Sequence, residues 1–379
     1  MSEPKKRIAI LHPFFGIYSR GAETFYMEIV RYLAPYYDIT IYSLQSDETI
    51  ASKVVTVDCK KGKLLSRYEK FYERHEKYRA FTMKSRYLSF LFPMSMFCKK
   101  FCKKVWRQHL SGETYDLLFP GMGSEGAKLA AKYRKMHGTP FVFVGADGIS
   151  PAGKNTLFTK PDCYVAISTT QKKWAMQYTS AVEMIPNGTY IRRFQEKSEK
   201  KFQINPGHRL VLAVGNLDFH FKRQQLVIEA VSRLENVDLL ILGKGEGKEE
   251  LQKIAEEKMP GRCVIKGVHY TETPMYYQSA DVFTLASLYE PFGIVYIEAM
   301  AAGLPVVTTD DEVRREIIQD AGIVCDVEDA KQYADCLQKA METDWGEKPQ
   351  KRAAFYDYSN IGEQYHQLFE RLIQQHPFH

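Results

Sequence analysis

The chain has 379 residues and a mass of 43.8 kDa, more than one hydrophobic core usually serves, so two domains are expected. With 45% hydrophobic and 26% charged residues it has the composition of a globular protein, which excludes a disordered or fibrous chain. The formal charge of +6 is local, because Lys60 to Arg107 holds fifteen Lys and Arg against three Glu and leaves the remainder net acidic.

The opening segment offers only a short apolar run before His12 and Pro13, too short for a signal-peptide core. No window supplies the ~20 uninterrupted apolar residues of a membrane span. Seven scattered cysteines, with Cys98 and Cys102 four apart on a predicted helix, fit a reduced cytoplasmic setting. Arg7 to Leu11 reads as a strand, a helix follows Gly21, and DITIYSL near residue 40 reads as the next strand. This is a Rossmann-like opening. From Met94 the apolar residues fall at Met94, Phe97, Cys98, Phe101, Cys102, Val105 and Trp106, while Lys99, Lys100, Lys103, Lys104 and Arg107 occupy the opposite face. Two readings stand here. The helix lies on anionic lipid, extended by the aromatic-basic YEKFYERHEKYRAF and by RYLSFLFPM, or it is a domain helix with its stripe packed inward and its lysines in water. Nucleic-acid binding is not expected, since no reader motif accompanies the charge.

Apolar runs at Tyr115 to Phe119, Phe141 to Val144 and Cys163 to Ile167 suit parallel strands buried on both faces. Between them, Gly148 to Asn155 nearly spells a phosphate-binding loop. Asn155 stands where that loop needs Ser or Thr, and Pro161 comes too soon for its long helix. The turn IPNGTY at Ile185 to Tyr190 opens a Lys-rich linker that runs to about Gly207. A second strand set begins at Arg209: RLVLAVG, VDLLILG, CVIKG, DVFTLA, PVVTT and GIVCD, separated by helical patterns. GKGEG from Gly243 is a partial dinucleotide fingerprint and reads as a strand-to-helix turn. Ser359 to Gln375 has helical spacing and is expected to cross back to the first domain. The expected fold is α/β, with two Rossmann-like domains facing across a cleft, residues 1–187 together with 359–379 and residues 188–358.

The stretch Ser287 to Thr309 carries the most chemistry. Pro291 suits the first turn of a helix that Gly303 and Pro305 end, and a helix start holds anions through its free N–H groups. Glu298 lies in an otherwise apolar run, where an unpaired buried carboxylate costs several kcal/mol and so needs a partner. Glu290 precedes it by eight residues, about 12 Å along a continuous helix at ~1.5 Å per residue, too far to share one proton or one metal.

Several segments together resemble the retaining glycosyltransferases of family 4, whose architecture is called the GT-B fold. They are Glu290-Pro291-Phe292-Gly293 with Glu298; VGNLDFHFKRQQLVIEAV from Val214; the turn IPNGTYIRRF; SRGAETF from Ser19; and YYQSADVFTLASLYEPFG. The resemblance implies that Glu290 and the amides of Phe292, Gly293 and Ile294 contact a donor sugar, that Glu298 binds ribose hydroxyls, and that Lys222 binds the diphosphate. Gly21, Gly215 and Asn216 fall in loops that line the donor. Glu290 and Lys222 are the catalytic residues the resemblance implies, and Asp147, where the chain departs from the family, is the third catalytic candidate. No cofactor and no metal are expected, and the chain has no Asp-x-Asp pair. The implied reaction moves a hexose from a UDP- or GDP-sugar to an acceptor hydroxyl with retention, on a glycan or lipid. The implied enzyme is cytoplasmic and peripheral on the inner face of the membrane, with residues 60–107 as the contact.

Two departures stand out. Gly215-Asn216-Leu217 replaces the family's Gly-Arg-Leu, with Arg223 as the candidate for the lost phosphate contact. Ala146-Asp147-Gly148 replaces the histidine motif of many relatives; Asp147 either meets sugar or acceptor, or only shapes a turn. A nucleotide-sugar epimerase and a sugar-nucleotide-binding protein without turnover are the rival readings.

Overall fold

A computed structural model describes residues 4–17, 21–45, 52–60, 62–74, 93–121, 123–199 and 201–376. By its internal contacts the chain divides into two units, Met1–Pro186 with Ile361–His379, and Asn187–Asn360.

The first unit is built on strands β1 (Arg7–Leu11), β2 (Asp38–Ser43), β3 (Lys53–Thr56), β4 (Leu117–Pro120), β5 (Val142–Val144), β6 (Cys163–Ala166) and β7 (Val182–Met184). They pair in parallel in the orders β3-β2-β1-β4 and β5-β6-β7, and a bridge between Leu118 and Phe141 links the two sets. Ile8 to Leu11 are almost wholly buried, as an unbroken apolar run with helices on both sides requires. The strand order reverses between β1 and β4, so the loops after these two strands diverge and leave a crevice at their carboxyl ends.

Helices of this unit include α1 (Gly21–Leu33), α2 (Lys63–Arg74), α3 (Pro93–Gln108), α4 (Gly123–His137) and α5 (Pro151–Leu157). The reading in which the Met94 to Trp106 stripe lies on lipid is corrected by its packing. Phe97, Cys98, Phe101, Cys102 and Val105 of α3 are buried in the core of the unit, and of the stripe only Met94 is left exposed. Lys99, Lys100 and Lys103 stay in water, Lys100 Nζ donates to the Lys60 carbonyl (2.7 Å) and Lys104 caps the Asp58 carbonyl. Residues 75–92, which held most of the aromatic-basic extension, lie outside the described residues. No helix among the described residues is long and apolar enough to cross a membrane. The near phosphate-loop is a capped helix instead: Ser150 Oγ accepts from the Gly153 amide (3.0 Å), and α5 ends at Leu157.

The second unit is a six-stranded parallel sheet of β8 (Arg209–Val214), β9 (Val237–Leu242), β10 (Cys263–Lys266), β11 (Val282–Leu285), β12 (Val306–Thr309) and β13 (Gly322–Cys325), in the order β10-β9-β8-β11-β12-β13. All six residues of β9 are buried. The order reverses between β8 and β11, which puts the crevice of this sheet between the loops that follow them. Its helices include α6 (Gln224–Ser232), α7 (Thr273–Ser279), α8 (Ile294–Ala301) and α9 (Glu312–Ile318).

Helix α10 (Tyr358–Gln375) returns the chain to the first unit. Tyr365 lies 5.6 Å from Phe25 and 5.8 Å from Phe119, and Phe369 5.2 Å from Phe119, all ring to ring. Both aromatics are fully buried, which contributes roughly 2–3 kcal/mol each. Tyr37 Oη donates to Glu370 (2.8 Å) at the far end of the contact.

Candidate functional site

Two loops frame the crevice of the second sheet. The first runs from Gly215 to Arg223. Asp218 folds it by accepting the amides of His220 and Phe221 (2.8 Å each) while its carbonyl takes those of Lys222 and Arg223. Gln224, wholly buried at the head of α6, donates to the Asn216 carbonyl (2.6 Å). Arg223 adopts a left-handed conformation (φ 51°) that turns the chain into α6. The second loop runs from Ala286 to Gly293. Its Leu288 amide donates to the Phe221 carbonyl (2.8 Å), which ties the two loops together.

Lys222 and Glu290 meet across these loops in a direct ion pair, with side chains 21% and 13% exposed. Glu290 is not on a helix. Gly293 (φ 85°) is left-handed and stops α8 from extending backwards, so the helix begins at Ile294 and not at Pro291. The helical spacing expected between Glu290 and Glu298 therefore does not apply. A side chain at position 293 would also collide with the Tyr296 ring, 2.4 Å from the added carbon. Phe292 is buried and packs edge-on against Tyr356 (5.7 Å), which leaves its backbone as the part a ligand can meet. The Ile294 amide stands in the first turn of α8, where no preceding helical carbonyl serves it.

Glu298 lies on α8, 5% exposed, and accepts from Tyr277 Oη at 2.7 Å. Burial pushes its carboxyl above the ordinary range, while the Tyr277 hydrogen bond and the Arg193 charge pull it back. Arg193 stacks over the Tyr270 ring (3.8 Å) and caps the Tyr270 carbonyl. Gly215 runs along the Lys222 side chain, and Asn216 is exposed.

The structure redirects Arg223. It is 9% exposed, and its guanidinium is held by the Ala286 carbonyl (2.8 Å) and Glu328 (2.8 Å), so it braces the second loop. Arg314 was not foreseen. It is 1% exposed on α9, paired with Asp311, and donates to the Ser287 carbonyl (2.8 Å) under the second loop and to Tyr296 Oη (3.4 Å). In the sequence it is one of two arginines on a charged helix, with nothing to mark which faces inward.

In the first unit, Gly21 opens α1. Asp147 follows β5 and has an accessible surface, while the protein packed around it raises its carboxyl by desolvation. His12 was also missed. It follows β1 directly, 3% exposed, against the Tyr26 ring (5.0 Å), and its Nδ1 has no hydrogen-bond partner among the described residues. Burial holds its imidazole down at about 4. Leu11 pairs with Pro120, so Gly121 lies beside His12, and a side chain there would sit 2.4 Å from the imidazole. Among the described residues no His, Cys, Asp and Glu converge to hold a metal.

Residues 194–359 match the family model "Glycosyl transferases group 1", a span that contains both loops, the Lys222–Glu290 pair and Glu298. The second unit, Asn187–Asn360, thus matches the glycosyl transferases group 1 family over nearly its whole length. A curated relative in sequence is the phosphatidyl-myo-inositol mannosyltransferase of Mycolicibacterium smegmatis, 30% identical over 222 residues that cover 55% of this chain and 57% of the relative. The chain spans 52–60% of the length of the first curated relatives it matches. In structure the chain resembles sucrose-phosphate synthase from Thermosynechococcus elongatus (TM-score 0.76, 17% identity, 98% of this chain and 100% of that one). It also resembles Anabaena HepE in complex with UDP-glucose (TM-score 0.71, 17% identity, 97% and 100%). These likenesses establish the fold, two Rossmann-like units of the GT-B type.

Proposed function

We propose that the chain is a retaining hexosyltransferase that moves a sugar from a nucleoside diphosphate to an acceptor hydroxyl. The observation that carries this reading is the meeting of Lys222 and Glu290 at the switch point of the second sheet, with Glu298 buried on the helix that follows the second loop. Lys222 supplies a point charge to diphosphate oxygens, and the amides from Phe292 to Ile294 add fixed dipoles, so the leaving group is stabilised as charge develops on it. Glu298 accepts hydroxyls of the ribose. Attack comes from the face the diphosphate leaves, with a diphosphate oxygen taking the acceptor proton, and no covalent nucleophile is needed. Asp147, accessible at the end of β5, is the first-domain group offered to sugar or acceptor.

UDP- and GDP-sugars are the donor classes to try, the first supported by the UDP-glucose complex of the Anabaena neighbour. A lipid-borne acceptor and a peripheral seat on an anionic membrane are supported by the relative named for phosphatidyl-myo-inositol and by the exposed lysines of α3.

The test is thermal stabilisation by a panel of nucleoside diphosphates and their sugars, with chelator present and again with Glu298→Ala. A selective rise in melting temperature that survives chelation and is lost in the variant supports the donor site. No shift with any nucleotide sinks the transferase reading.

A further inference from the structure

We infer that the Lys222–Glu290 ion pair makes the site prefer a nucleoside diphosphate sugar over the bare nucleoside diphosphate that remains after transfer; this rests on the donor-site reading above. With no ligand bound, the two charges satisfy each other in a place where each side chain is about four-fifths or more covered. Their loops are pinned at the backbone. Leu288 N–H bonds to the Phe221 carbonyl (2.8 Å), and Arg223 Nε bonds to the Ala286 carbonyl (2.8 Å). Opening of the pair is therefore assigned to the two side chains and not to movement of their loops. On the lysine side Gly215 presents no side chain, which leaves the space of one carbon beside Lys222 Cδ and Cε, 3.7 Å from where that carbon would stand.

A diphosphate must take the Lys222 ammonium away from Glu290. If the ligand is the bare nucleotide, Glu290 is left partly buried, without its cation and beside new negative charge, which opposes binding. If a hexose is attached, its hydroxyls donate to Glu290 and replace the lost partner. The same carboxylate thus works against one ligand and for the other. After transfer the hexose departs with the acceptor, Glu290 turns back to Lys222, and the diphosphate loses its cation. Product release then needs no movement of a helix or a domain.

Titration calorimetry with UDP, UDP-glucose, GDP and GDP-mannose tests this on the full chain, using wild type, Glu290→Gln and Lys222→Gln. Glu290→Gln keeps the shape and removes the charge. It is expected to bind the bare diphosphate about tenfold more tightly and the sugar form more weakly, so the preference falls by more than tenfold. A gain in affinity cannot come from a misfolded variant. Lys222→Gln is expected to weaken both ligands alike, since each loses its phosphate contact. Unchanged or weaker binding of the bare diphosphate to Glu290→Gln overturns the inference, as does a Lys222→Gln that weakens only the sugar form. If wild type binds none of the four ligands, the donor-site reading falls too; if it binds them but Glu290→Gln fails to tighten the bare diphosphate, only the inference falls.

Discussion

The two sheets each have a switch point, and the side chains there are treated in opposite ways. In the second unit Lys222, Glu290, Arg223, Glu298 and Arg314 each hold a protein partner within the same few loops. In the first, His12 is buried directly after β1, its Nδ1 without a hydrogen-bond partner among the described residues and its imidazole held neutral. A network of paired charges is preorganised for one chemical class of ligand, while a lone neutral imidazole commits the fold to much less. The second switch point is thereby fixed by its own loops, while the buried imidazole at the first adds no charge.

The comparison breaks most readily at Lys222. Lys222→Met should lower kcat by roughly 10²–10³ with a smaller change in KM, since its charge matters most when the diphosphate departs; a loss confined to KM would remove it from the catalytic step. His12 sharpens the contrast through pH. Its folded-state value of about 4 lies below the unfolded value of about 6.5, so the stability it supports is complete above the unfolded value and is lost as pH falls toward the folded one. Urea unfolding of wild type and His12→Gln at pH 7 and pH 5 should therefore converge by about 2 kcal/mol at the lower pH. Parallel pH dependence in the two proteins would show that His12 is not buried neutral.

Tyr277→Phe removes one member of the network without touching the ligand. Donor affinity should fall by about 5- to 10-fold, and more at pH 6 than at pH 8, because Glu298 loses a hydrogen bond that holds its carboxyl down. An equal loss at both values would assign Tyr277 a packing role only. The smallest effect is expected on α3. Lys99→Ala with Lys103→Ala should leave unfolding free energy within about 0.5 kcal/mol of wild type. Co-sedimentation with phosphatidylglycerol vesicles should drop, and an unchanged vesicle-bound fraction would remove α3 from the proposed membrane contact.

Much of the second unit was legible because strands buried on both faces read as apolar runs, VDLLIL being the clearest. The start of α8 was misplaced because Pro291 satisfies the usual helix-start preference; Gly293, in plain view, carries the conformation that decides it. Arg223 was read by its charge, and its burial depends on the carbonyl of Ala286 and the carboxylate of Glu328, far along the chain. His12 could be recognised only with the register that sets Leu11 against Pro120, since that pairing is what puts Gly121 beside it. On α3 the sequence marked the inward face correctly except at Met94, which is exposed. The pattern could not say whether protein or lipid covered that face, and the core around Phe97 and Phe101 answers it.

Helix α10 sets the order in which the molecule can be assembled. The first unit needs residues 361–379, which come only after all of the second unit has been passed, and its contacts join partners such as Tyr32 and Glu363 that lie 331 positions apart. The second unit is one continuous stretch and closes far shorter loops. Pulsed hydrogen exchange during refolding should accordingly protect β8 and β9 before α1, because Phe25 acquires its Tyr365 neighbour last. Until then the half of the chain that begins first remains the half with an open core.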